Sequence, residues 1–142
     1  MAIVNIYLTF NGNCKEAFEF YASVLQQKIS DFNLFGEMPP QPGFELSEAD
    51  KNRVMHVTLP ISKETSLMGS DTFPHQPVSF GDNFSISISP DSKKEADRIF
   101  KELGEAGNVV MPMADTFWNA YFGMVKDKFG VNWMINFDSS HS

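Results

Sequence analysis

One supersecondary pattern is written twice in this chain, and the polar positions of its strands recur with it. The first copy opens with the alternating run Asn5-Ile6-Tyr7-Leu8-Thr9-Phe10 and passes through Asn11-Gly12 into Asn13-Cys14-Lys15-Glu16-Ala17. The second opens with Asn83-Phe84-Ser85-Ile86-Ser87-Ile88 and leads to Ser92-Lys93-Lys94-Glu95-Ala96. At each helix start a side chain able to accept from orphan N–H groups stands three residues ahead of a glutamate, which is the capping-box spacing. Three further strand-like runs follow each helix. The duplication predicts an α+β fold of two β-α-β-β-β modules related by a pseudo-twofold. Each helix covers the apolar face of its strands, and the polar faces line a cavity around which a mixed sheet curves, with the helices outside.

Alternation sets Ile6, Leu8 and Phe10 on one face of the first strand and Asn5, Tyr7 and Thr9 on the other. The spacing of Cys14, Ala17, Phe18, Tyr21 and Leu25 gives one apolar stripe on a helix from Cys14 to about Gln26. Strands are predicted at Lys28–Phe35, Arg53–Pro60 and Thr65–Ser70. Between them, the segment from Glu37 to Asn52 carries Met38-Pro39-Pro40-Gln41-Pro42-Gly43, which suits neither a helix nor a central strand. It has no counterpart in the second copy and reads either as a lid or as a surface excursion. The second helix, from Lys93 to about Ala106, is expected to bury Ala96, Ile99, Phe100 and Leu103, with strands at Val109–Ala114, Ala120–Asp127 and Val131–Phe137. The expected organisation is one domain over 1–142: module one 1–71, linker 72–82, module two 83–137 and a frayed tail 138–142.

Eighteen acidic against eleven basic residues give a formal charge of −7, which repels nucleic-acid backbones and anionic membranes and argues against both as partners. A lone cysteine, Cys14, cannot form an intrachain disulfide, and no apolar leader or membrane-length run is seen, so a cytoplasmic protein is expected. Fourteen Phe and eight Met supply a core with material to spare for an adaptable apolar pocket.

Several short motifs stand in an order that resembles a known family. Leu8-x-Phe10, Gly12-Asn13-Cys14-x-Glu16-Ala17, Phe20-Tyr21, Leu67-Met68-x-Ser70-Asp71 and Asp127-x-Phe129-Gly130-x-x-Trp133 together are similar to the PhnB-like branch of the vicinal oxygen chelate superfamily. That superfamily includes glyoxalase I, bleomycin-resistance proteins and extradiol dioxygenases, so the resemblance implies a glyoxalase-like fold, a small organic ligand and a homodimer. It also implies a divalent-metal site built from the first and last strand of each module. Carried over by strand register, its positions are Asn5, Met68, Asn83 and Met134. Uncharged amides and thioethers are poor ligands for a divalent ion, so neither a metal nor any other cofactor is expected. Branch members often bear a methyltransferase label, yet no G-x-G turn of the doubly wound S-adenosylmethionine enzymes occurs among the nine glycines.

The candidate catalytic residue is His56, on an alternating strand, as a general base or ligand anchor. His75 and His141 read as incidental. Cys14 is either a dipole-activated thiolate or packing. The expected ligand-binding set is Asn5, Tyr7, His56, Met68, Asn83, Ser85, Tyr121 and Met134, with Trp118, Asn119 and Phe122 near Tyr121. These residues lead to a small-molecule-binding protein that has lost its metal. The alternatives are a metal-dependent lyase, isomerase or dioxygenase, a metal-free acid–base catalyst using His56, and a largely structural dimer.

Overall fold

A computed structural model describes residues 2–39, 42–43, 45–73 and 76–138. His75 and His141 therefore lie outside the described residues, as do Pro40, Gln41 and Phe44 of the proline-rich segment and the last four residues of the tail. The chain divides into two compact units, Met1–Ser79 and Phe80–Ser142, with residues 72–79 in the first. The Asn11 carboxamide clamps Val78, donating to its carbonyl at 3.0 Å and accepting from its N–H at 2.8 Å, which fastens this stretch to the first unit.

The first unit contains β1 (Ile6–Phe10), α1 (Cys14–Leu25), β2 (Asp31–Leu34), α2 (Glu48–Lys51), β3 (Val54–Pro60) and β4 (Ser66–Asp71). Its sheet order is β1-β4-β3-β2, with β1 parallel to β4 and the other pairs antiparallel. The second unit repeats this with β5 (Ile86–Ile88), α3 (Lys93–Gly104), β6 (Asn108–Asp115), β7 (Ala120–Lys126) and β8 (Asn132–Asp138) in the order β5-β8-β7-β6. These are two four-stranded mixed sheets of an α+β protein, each with its helix against its central strands.

In the first unit the helix face of the sheet presents Leu8, Phe10, Val57, Leu59 and Leu67 to Ala17, Phe18, Tyr21 and Val24 of α1, all buried. Phe18 meets Phe10 and Tyr21 edge-to-face at 6.2 and 5.8 Å, each such pair worth about 0.5–1.5 kcal/mol beyond the area it buries. Close approach depends on Gly69, where an added Cβ would stand 2.6 Å from Phe18 Cε1 and 2.8 Å from the Leu8 carbonyl. In the second unit Ile86, Val125, Trp133, Ile135 and Phe137 are buried, as are Ala96, Ile99 and Leu103 of α3.

Three expectations need correction. Asn13 precedes α1 but its side chain makes no capping bond; a carboxylate from β4 does that work instead, whereas Ser92 does cap α3 by accepting from Glu95 N–H at 3.1 Å. Beyond the 38–43 stretch, and in keeping with the expectation for it, Ser47 accepts from Asp50 N–H at 3.1 Å and starts the single-turn α2. The fifth strand begins at Ile86, so Asn83, Phe84 and Ser85 lie ahead of it, and Phe84 is exposed rather than packed on the helix. Asn5 likewise lies ahead of β1.

Candidate functional site

Directly opposed residues in adjacent strands point to the same face, so register decides which side chains can act together. In the first sheet the partners Asp31–Thr58, Thr58–Met68 and Met68–Tyr7 form one row across all four strands, on the face away from α1. In the second sheet the topologically equivalent row is Met111, Met124, Met134 and Ser87. Met68 and Met134 hold matching places in the two rows, and the residues around them differ entirely.

His56 stands on the open face of the first sheet beside this row. Its Nε2 lies 2.9 Å from Thr58 Oγ1 and 3.6 Å from Asp31 Oδ2, and its ring centre is 5.9 Å from that of Tyr7, tilted by 35°. The imidazole is half-buried and Tyr7 is exposed. The structure thus joins three of the expected residues, Tyr7, His56 and Met68, and adds Asp31 and Thr58. Alternation already put Thr58 on the face of His56. Asp31 was not legible, because the apolar residues Ile29, Phe32, Leu34 and Phe35 of the expected strand Lys28–Phe35 do not alternate cleanly around it.

Val54 stands two residues from His56, so strict alternation would put it on the same face, and it is instead buried. The register between β2 and β3 shifts at Asn33/Leu34, pairing Asn33 with His56 and Leu34 with Val54. One extra residue, Met55, reverses the alternation at that point.

The remaining expected site residues are placed otherwise. Asn5 is exposed, and its Oδ1 accepts from the Ser66 N–H at 3.0 Å, extending the β1–β4 ladder by a side chain. The neighbour of Met68 is therefore Tyr7 rather than Asn5, and that of Met134 is Ser87 rather than Asn83 or Ser85. Tyr121 lies opposite Phe137 on the helix face, where its hydroxyl donates to Asp97 Oδ1 of α3 at 2.5 Å and Lys93 Nζ sits 5.0 Å from its ring centre. That hydrogen bond holds the phenol above its ordinary pKa. Phe122 and Met124 occupy the open face in its place, with Phe122 against the exposed Trp118 at 6.1 Å.

The divalent site of the superfamily has no fitting donors here. A phenol, a hydroxyl and two thioethers at these strand positions supply neither imidazole nor carboxylate. Among the described residues, no three of His, Cys, Asp and Glu stand together as a metal-binding group.

Two motif residues turn out to be architectural. Asp71 is 4% exposed and accepts from the N–H groups of Gly12 and Cys14 through Oδ1, at 2.9 and 3.0 Å, and from that of Val54 through Oδ2 at 2.8 Å. Asp127 is 3% exposed and accepts from the N–H groups of Phe129 and Val131 and from Trp133 Nε1, at 2.8, 3.0 and 2.9 Å. Cys14 is fully buried, and desolvation followed by the adjacent Asp71 charge pushes its thiol far above the ordinary range. It is a packed thiol and no nucleophile at neutral pH.

Paired mixed sheets of this topology, each backed by one helix, define the glyoxalase-like class, and glyoxalase/bleomycin resistance proteins of known structure share the fold. Over residues 2–136 the chain matches the family described as 3-demethylubiquinone-9 3-methyltransferase, and it belongs to that family, within the PhnB-like branch of the vicinal oxygen chelate superfamily. It is 32% identical over 136 residues to protein YjdN of Escherichia coli (strain K12), covering 92% of this chain and 91% of that protein. The crystal structure of protein PA1353 from Pseudomonas aeruginosa is similar at 40% identity and a TM-score of 0.85, covering 97% of this chain and 98% of that one. A PhnB protein from Bacillus cereus shares the fold at 24% identity and a TM-score of 0.76, covering 94% and 98%.

Proposed function

We propose that this protein binds a small organic molecule with a flat, hydrogen-bonding ring, using the open face of the first sheet. The observation that carries the reading is the anchored imidazole. Thr58 and Asp31 hold His56 by Nε2, next to the Tyr7 ring and in line with the Met68 thioether. Tyr7 offers a stacking surface, Met68 a deformable apolar wall and His56 Nδ1 a polar contact. Binding needs no divalent ion, and it does not draw on the activity named in the family's description.

A second reading is favoured by the Asp31 contact alone. In it His56, with the Asp31 carboxylate 3.6 Å from Nε2, would serve through Nδ1 as a metal-free general base on a bound ligand. A homodimer and a cytoplasmic location belong to the same proposal; a lone cysteine, here fully buried, suits a reducing compartment.

The test is a ligand-observed NMR screen of neutral and weakly acidic single-ring aromatic fragments, followed by affinity measurements on variants. Hits are expected to weaken by about tenfold or more in Tyr7→Ala and in His56→Ala, with thermal midpoints little changed because neither side chain is in the core. Fragments that bind both variants as tightly as the parent protein would remove this reading.

A further inference from the structure

We propose that the open face of the second sheet carries a site for a soft monovalent cation of the Cu(I) or Ag(I) kind, formed by Met111, Met124 and Met134. The three residues are direct cross-strand partners on the adjacent strands β6, β7 and β8. Opposed Cβ atoms in antiparallel strands lie about 4.5–5.5 Å apart, a spacing that flexible thioether arms span easily to meet above the central residue.

The row depends on a backbone irregularity. Val109 pairs with Val125, so an unbroken ladder would set Val110 opposite Met124; the register shift between Val109 and Met111 inserts one residue and brings Met111 there instead. The next methionine of β6 goes the other way, since an added Cβ at Gly123 would meet Met113 Sδ at 2.5 Å beside Phe100 of α3. The sheet thus sorts the two methionines of β6, sending one to the core side and one into the row. Met111 is 48% exposed, so an ion can reach it from solvent.

The chemistry follows from the donors. Neutral thioethers cannot replace the hydration of a divalent ion, which is why the superfamily's metal is a poor fit. A soft monovalent ion loses far less hydration and prefers sulfur. The one cation two residues along the same face of β7, Lys126, is countered by Asp82 at 3.6 Å, and the whole chain carries a charge of −7. In the first sheet the matching row offers a single thioether, Met68, between Thr58 and Tyr7, and so provides an internal control.

The experiment uses the full chain in a Cys14→Ala background, to remove the thiol, with methyl-13C methionine labelling and silver nitrate as the probe. Native mass spectrometry should show one Ag(I) per chain, and the methyl signals of Met111, Met124 and Met134 should shift while the other five of the eight methionines stay in place. Met124→Leu, which conserves volume, should weaken binding by at least about tenfold, and Met68→Leu should leave it unchanged. Met111→Leu, on an exposed edge strand where folding is not at stake, should weaken it as well. No one-to-one complex, shifts spread over all methionines, or affinity unaffected by Met124→Leu and Met111→Leu would each overturn the proposal.

Discussion

A buried carboxylate that accepts three N–H bonds carries more of this fold than its exposure suggests, and Asp71 shows why. Its two oxygens serve three donors in different segments: Gly12 and Cys14 at the start of α1, and Val54 at the start of β3. Asparagine has one acceptor oxygen, so its NH2 group would face an N–H donor on one side or the other. Each buried donor left without a partner costs about 1–3 kcal/mol, so Asp71→Asn is expected to lower the unfolding free energy by about 2–4 kcal/mol in urea titration. A loss below about 0.5 kcal/mol would show that the network is dispensable. Cys14, beside it, makes a pH prediction. Its folded-state pKa is raised above the ordinary thiol value of 9.0, so the native state holds the proton where the unfolded state has released it. Stability is then fully present below pH 9.0 and falls as pH rises beyond it, by up to about 1.4 kcal/mol per unit. Cys14→Ala should flatten that alkaline decline in denaturation curves measured from pH 8 to 10, and an unchanged slope would mean that other groups cause it.

Among the elements, the strands with single-residue irregularities decide the site. In β3 the extra Met55 lets Val54 enter the core and leaves His56 on the open face, although strict alternation gives both the same side. In β6 the extra Val110 brings Met111 into line with Met124. The helices differ in the same local way. Ser92 caps α3 from within its own segment, whereas α1 takes its capping oxygen from Asp71, fifty-seven residues from Cys14. The edge strand β6 exposes Val109, Val110 and Met111, but Pro112 removes a donor and two register shifts bend its ladder, which blunts it against strand addition.

At the scale of the whole molecule, one topology is used twice and given different chemistry each time. The equivalent rows read Asp31, Thr58, Met68, Tyr7 in one unit and Met111, Met124, Met134, Ser87 in the other. The fold duplicates strand order and helix placement, while each row is free to vary, because no side chain in it packs under a helix. The proposed homodimer is checked by light scattering at micromolar concentration. A mass of twice 16.0 kDa is expected, and a species of 16.0 kDa would remove the dimer.

The duplicated alternation and helical stripes determined the α+β class, the order of elements and most of the core, because burial of a periodic apolar face is a local property of the chain. Alternation also set Tyr7 on the polar face of its strand and His56 on the face of Thr58, while Met68 came from the family resemblance. Tertiary structure decided the rest. Which residue lies opposite Met68 or Met134 depends on where each ladder begins, and Asn5 and Asn83 fall ahead of theirs. Tyr121 was misplaced because nothing local reports that Asp97 of α3 waits on the helix side. Asp71 and Asp127 were visible only as motif letters, since a carboxylate's partners are N–H groups whose approach is fixed by the fold.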